Sequence, residues 1–177
     1  MELDQRSQKA IARLRFLLMS ACVLSGLLTG ETVDRLVIGF PAWKYTGIAA
    51  WAEYSRHADL GNGVFVYPLE GMLSFLLLLA SSVLLITSKN IFIKRHFSLS
   101  VHLSTVFAVI ALILTFFAAP FILSLKNIDD PALEEFAFNR FFYWSTYRGI
   151  SQGLSFLSCV WAMSKAFIIN YSEYNEN

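Results

Sequence analysis

The sequence predicts an all-α polytopic membrane protein: a four-transmembrane-helix bundle with short interfacial helices in its two outer loops. Hydrophobic residues make up 56 % of the 177 residues and charged residues 15 %, against roughly 25 % charged in a soluble domain. The chain contains 16 phenylalanines, and a soluble protein of this length has too little interior to bury so much apolar surface. We therefore expect the lipid bilayer to be its solvent.

A membrane-spanning helix needs about 20 predominantly apolar residues. Four segments of a single domain, residues 1–177, have that character, and the predicted spans are residues 13–37, 64–87, 99–121 and 141–169. Glu70 lies in the second span, and Arg148 and Lys165 lie near opposite ends of the fourth.

The distribution of basic residues predicts the orientation of the spans, because loops rich in Lys and Arg stay in the cytoplasm. These residues cluster around the start of the first span and between the second and third: Arg6, Lys9, Arg13, Arg15, Lys89, Lys94 and Arg95. Most acidic residues fall on the other side, in the other two loops or at the outer end of the first span. The pattern predicts a protein of the inner membrane with both termini in the cytoplasm.

The first outer loop contains an apolar pattern of helical period, which predicts an interfacial helix over residues 46–60. Thr46 is a suitable cap, and the segment 61–63 (Gly-Asn-Gly) tolerates the positive φ that often ends a helix. The Trp and Tyr residues of this loop are typical of a helix that lies in the membrane interface. In the second outer loop, Asp130 and Pro131 are a good cap and first residue for another short helix.

Small residues predict where the spans touch. Gly26 and Gly30 in the first span and Gly149 and Gly153 in the fourth form GxxxG pairs, which let helix backbones approach closely in lipid. We expect these two spans to pack together. The two cysteines, Cys22 and Cys159, fall at different predicted depths, so a disulfide is not expected.

Charged residues inside a membrane are unfavourable unless paired, so each one marks a candidate functional site. With a helix rise of about 1.5 Å per residue, Glu70 and Arg148 lie at one depth, about 10 Å below the outer boundary. Glu31, Asp34 and Arg35 reach a comparable level. These charges predict a polar pocket for a small amphipathic ligand, although Glu70 and Arg148 could equally form a pair that only locks the helices together.

Ten residues are candidates for this site. The candidate catalytic residues are Glu70, Arg148, Asp34, Arg35 and His57. The candidate substrate-binding residues are Trp51, Asn62, Tyr67, Trp144 and Gln152. Glu70 would act as a general base and Arg148 would stabilise an anion or enolate.

Other ligand classes are not indicated. The residues around His57 match no established zinc spacing, so no metal is predicted. We find no phosphate-binding glycine loop, and no cofactor is predicted. The net charge is only +1, whereas nucleic-acid binding requires a basic stripe, so nucleic acid is not a predicted partner.

Two groups of residues resemble the anthrone-oxygenase-like family of small four-helix integral membrane proteins. They are the segment 25–30 (Ser-Gly-Leu-Leu-Thr-Gly) followed by Pro41 and Trp43, and Trp144 with Arg148 at the start of the last span. The acidic continuation over residues 31–35 departs from the family's apolar pattern. The resemblance covers most of the chain and implies a four-helix bundle that oxidises an aromatic, enolisable substrate without a cofactor.

Three functions remain open from the sequence. The first is an outward-facing pocket that binds or oxidises a small amphipathic or aromatic molecule. The second is a non-catalytic membrane subunit that docks a membrane protein partner through its GxxxG faces. The third is a proton-coupled transporter, which would need a homo-oligomer because four short spans rarely enclose a complete path.

Overall fold

The computed structural model describes the backbone of residues 5–88 and 91–175, and all regular structure in these ranges is helical. Six α-helices follow one another: α1 (Gln5–Asp34), α2 (Phe40–Thr46), α3 (Ile48–His57), α4 (Gly63–Thr87), α5 (Ile91–Leu123) and α6 (Pro131–Asn175). A π-helical turn, Arg35–Gly39, joins α1 to α2, and a second, Ala58–Asn62, joins α3 to α4. A 3-10 turn, Ser124–Lys126, follows α5.

Three helical segments among the described residues are long and apolar enough to cross a membrane. They are Gln8–Thr46, Ile48–Thr87 and Phe97–Lys126. This finding confirms the predicted class, an all-helical integral membrane protein. The longest helix, α6, has 45 residues, but it is not one of the three, so the fourth span stays a prediction.

The four long helices close a ring of contacts. α1 packs against α4 and α6, and α5 packs against the same two helices. At the end where α1 begins and α6 ends, aliphatic side chains from all four helices form what we call the leucine core. Its buried members are Ile11, Leu14, Leu18, Ala21, Leu78, Leu85, Phe97, Val101, Cys159, Ala162 and Ala166.

A second core, which we call the aromatic core, fills the opposite end. It consists of Phe40, Trp51, Ala52, Ala118, Ile122, Leu125, Ala137, Phe138 and Phe141. Trp51 is fully buried, and its ring centroid lies 5.1 Å from that of Phe138 in an edge-to-face contact. The short helix α3 thus buries its Trp-bearing face against α6. Its position in a membrane interface stays a prediction.

The connection between α2 and α3 differs from the prediction. Thr46 does not cap α3; it is the last residue of α2 and donates a hydrogen bond to the carbonyl of Ala42. Gly47 separates the helices with φ of 105°, a backbone conformation that favours glycine. Residues 61–63 do not adopt the expected positive φ either, because the chain passes through a π-helical turn with a kink at Gly61.

Arg56 ties α3 to the start of α6. Its guanidinium donates hydrogen bonds to the carbonyl oxygens of Leu125 (3.1 Å) and Ile128 (2.5 Å) and to the carboxylate of Glu134 (2.6 Å). Glu134 is buried, and Asp129 adds a longer contact to Arg56 of 3.5 Å. These bonds hold the aromatic end of the molecule closed.

Only one glycine of each GxxxG pair meets another long helix among the described residues. A Cβ placed on Gly149 would lie 2.6 Å from Leu36 and 2.8 Å from Thr32, and one on Gly26 would lie 3.1 Å from Phe156. Gly30 and Gly153 have open space around them. α1 and α6 therefore do pack together, but through half of the predicted small residues.

The two cysteines lie closer together than their predicted depths suggested. Both thiols are free and lie near enough to influence each other electrostatically. The Cys159 thiol also points at the carbonyl of Leu18, 3.6 Å away. Because α1 and α6 run side by side, residues separated by most of the chain become neighbours.

Candidate functional site

A half-open cavity of about 630 Å³ lies between the leucine core and the aromatic core. All four long helices and both π-helical turns contribute to it, and its wall is mainly apolar. Its polar and charged lining residues are Ser25, Glu31, Thr32, Asp34, Arg35, Tyr54, Asp59, Tyr67, Ser74, Thr115, Arg148, Gln152 and Ser155. A mainly apolar pocket of this size with a few polar groups is typical of a small-molecule site.

The two π-helical turns meet in a salt bridge at the cavity. The guanidinium of Arg35 lies 2.5 Å from the carboxylate of Asp59, and the side chains are 16 % and 4 % exposed. Arg35 also donates a 3.4 Å hydrogen bond to the hydroxyl of Tyr67 and lies over the Tyr67 ring. Arg35 is therefore neutralised within the protein.

Arg148 faces the same cavity from α6 and has no such partner. No salt bridge or hydrogen bond joins it to any described residue, and its Nε atom is buried without an acceptor. The charged side chains that interact electrostatically with Arg148 are those of Arg35 and Asp59. Asp59 is already bonded to Arg35, so Arg148 is a second cation beside an occupied carboxylate.

Glu70 does not pair with Arg148 in the structure. α4 begins at Gly63, so Glu70 lies about two turns inside the helix rather than in its first turn. It is absent from the cavity wall, and its negative charge instead repels the carboxylate of Glu31 in α1. Its Oε2 atom is buried without a hydrogen-bond partner among the described residues. The prediction that Glu70 shares the pocket of Arg148 was wrong, because helical spacing does not determine which side of the bundle a residue faces.

Gln152 lies one helical turn after Arg148 and lines the same wall. The hydroxyl of Thr32 donates a 2.7 Å hydrogen bond to its Oε1 atom. This bond fixes the amide with its oxygen occupied, so the NH₂ group remains as a donor for the cavity. Thr32 thus orients a polar group supplied by α6.

The other candidates divide clearly. Asp34, Arg35 and Tyr67 line the cavity together with Arg148 and Gln152. Four candidates lie elsewhere: Trp51 is in the aromatic core, Trp144 stacks on Phe117, Asn62 is exposed, and His57 is exposed beside Glu53. Trp51 and Trp144 were predicted to bind the substrate, but both pack against aromatic side chains at the helix ends instead.

Asp59 lines this pocket, although it was not among the ten candidate residues. Its burial arises from the second π-helical turn, which directs it towards Arg35. No group of three or more potential metal ligands occurs among the described residues.

Comparison with known proteins adds no neighbour to this picture. No protein-family model, no curated protein and no solved structure matches the chain.

Proposed function

We propose that this chain is a four-span integral membrane protein whose cavity binds a small amphipathic or aromatic molecule. The observation that carries the proposal is the cavity itself, which combines a mainly apolar wall with charged groups from α1, α6 and both π-helical turns. A purely structural charge cluster would be filled by its own side chains. Here the charged groups border about 630 Å³ of open space.

The proposal includes a specific membrane arrangement. α6 would be the fourth span, because it packs along α5 and α1 and shares both cores with the apolar helices. The leucine core would face the cytoplasm together with both termini, and the cavity would open towards the outer side of the inner membrane. α2 and α3 would lie near the outer interface.

Native mass spectrometry of the full chain, released from a neutral detergent, tests the proposal. We expect a discrete small molecule on each chain of the wild-type protein. Gly71 lines the cavity, so Gly71→Phe should fill it and remove the bound mass, whereas Leu73→Phe on the exposed side of α4 should retain it. A bare wild-type chain, or one that carries another protein instead, would favour the partner-docking function.

A further inference from the structure

The charges that border the cavity are not all balanced in the same way. Arg35 lies 2.5 Å from Asp59, so these two charges neutralise each other. Arg148 forms no salt bridge with any described residue. A guanidinium is always charged, and leaving one unpaired away from water costs several kcal/mol. The structure therefore keeps an unneutralised cation at a cavity wall.

Hydrogen-bond donors converge beside this cation. Arg148 and Gln152 are four residues apart, so they share one face of α6, and both line the cavity. The Gln152 oxygen is occupied by Thr32, which leaves its NH₂ group to donate. The Tyr67 hydroxyl accepts a bond from Arg35 and can donate its own proton. Three donors from two helices thus face one space, and an oxyanion is the group that accepts from all of them.

The remainder of the cavity describes the other part of the ligand. Leu28, Phe75, Ala108 and Leu112 supply apolar wall to the same cavity as Arg148. The acidic residues Glu31 and Asp34 are exposed, and neither is among the charged groups that act on Arg148. A molecule with an anionic head and an apolar body therefore matches the cavity better than a small free anion does.

We infer that the cavity takes an amphipathic oxyanion, a carboxylate or a phosphate ester with an apolar tail, whose head group binds Arg148 and Gln152. The inference rests on the proposed function and specifies its ligand class. The planar guanidinium fork can bind either a carboxylate or a phosphate through two parallel hydrogen bonds. The tail would lie against the apolar wall.

Isothermal titration of the full chain in a neutral maltoside detergent tests this inference with four probes. Dodecanoate and dodecyl phosphate carry the two head groups, dodecanol carries the tail alone, and inorganic phosphate carries a head group alone. We expect at least one of the anionic amphiphiles to bind ten times or more tightly than dodecanol. The preferred anion identifies the source, a fatty-acid-like molecule or a phospholipid-like one.

The variant Arg148→Gln should abolish that preference, and Arg148→Lys should retain part of it. Arg140→Gln is the matched control, because Arg140 is an exposed arginine of the same helix outside the cavity. Thermal stability of each variant verifies folding, and the wild-type probe series decides the matter even if Arg148 variants unfold.

Each outcome has a definite meaning. If dodecanol binds as tightly as both anions, the cavity binds amphipathic molecules and the inferred anion site is wrong. If inorganic phosphate binds as well as dodecyl phosphate, the ligand is a free anion and the amphipathic part is wrong. If no probe binds the wild-type chain, the proposed function fails together with the inference.

Discussion

Arg35 and Asp59 form a 2.5 Å salt bridge between two π-helical turns, one on each side of the α2–α3 segment. The pair joins the end of α1 to the start of α4. Because both side chains are largely buried, removing one partner leaves an uncompensated charge in a poorly solvated place. This geometry makes the pair a testable element of stability.

We expect Asp59→Asn to destabilise the protein by about 3 kcal/mol, the typical effect of breaking a buried pair. Arg35→Met should have a similar effect. The double variant should be more stable than either single one, because it removes both charges of the pair together. Thermal unfolding in detergent measures this, and Glu135→Gln, at an exposed acid of α6, is the control. Single variants as stable as the wild type would show that the pair contributes nothing.

Arg56 makes a second prediction, at the aromatic end. Arg56→Met removes hydrogen bonds to two carbonyls and to buried Glu134, and bonds of charged groups contribute about 1.5–3 kcal/mol each. We expect lower thermal stability and faster proteolysis between α5 and α6. Arg56→Lys keeps the charge but cannot reach all three acceptors, so its thermal stability should lie between those of the wild type and Arg56→Met. The control is Arg140→Gln, and equal proteolysis of all variants would contradict the assigned role.

The glycines of α6 provide a third prediction. Gly149→Ala places a methyl group within 2.8 Å of Thr32, and overpacking of this kind typically costs about 1–3 kcal/mol. Gly153→Ala has free space and should be neutral or stabilising by up to about 1 kcal/mol, since alanine favours helix more than glycine. Equal thermal stabilities for the two variants would show that α1 and α6 do not meet as described.

The neighbouring thiols allow a chemical test of the same helix pair. With a protease site inserted between α4 and α5, the cut chain separates Cys22 from Cys159. Mercuric ion, which binds two nearby thiols, should hold the fragments together on a denaturing gel. Cys22→Ser should release them, because it leaves a single thiol. If the fragments separate although both cysteines are present and mercuric ion has been added, α1 does not lie beside α6.

The sequence predicted the helices better than their contacts. The second span was expected over 64–87 and α4 runs from Gly63 to Thr87, because a long, mainly apolar run with glycine before it marks both ends. Arg148 and Gln152 share one face of α6, since helical spacing determines it. Helical spacing does not determine which neighbouring helix a side chain faces. Glu70 was therefore predicted to meet Arg148, although it lies near Glu31.

The connecting segments were the least predictable part. Trp51 and Trp144 have the character of membrane-interface residues, yet packing at the helix ends uses both. The salt bridge of Arg35 with Asp59 depends on two π-helical turns, and a π turn has no recognisable sequence pattern. Such turns often occur at functional sites, which agrees with their place beside the cavity.

The separation of the leucine core from the aromatic core has a consequence for how such a protein can change over time. The helices are held together at both ends, so the side chains that border the cavity contribute less to holding the fold. Mutations at Gly71 or Leu112 can therefore alter the shape of the pocket while both cores stay intact. A chain built this way can acquire a new ligand without first having to acquire a new fold.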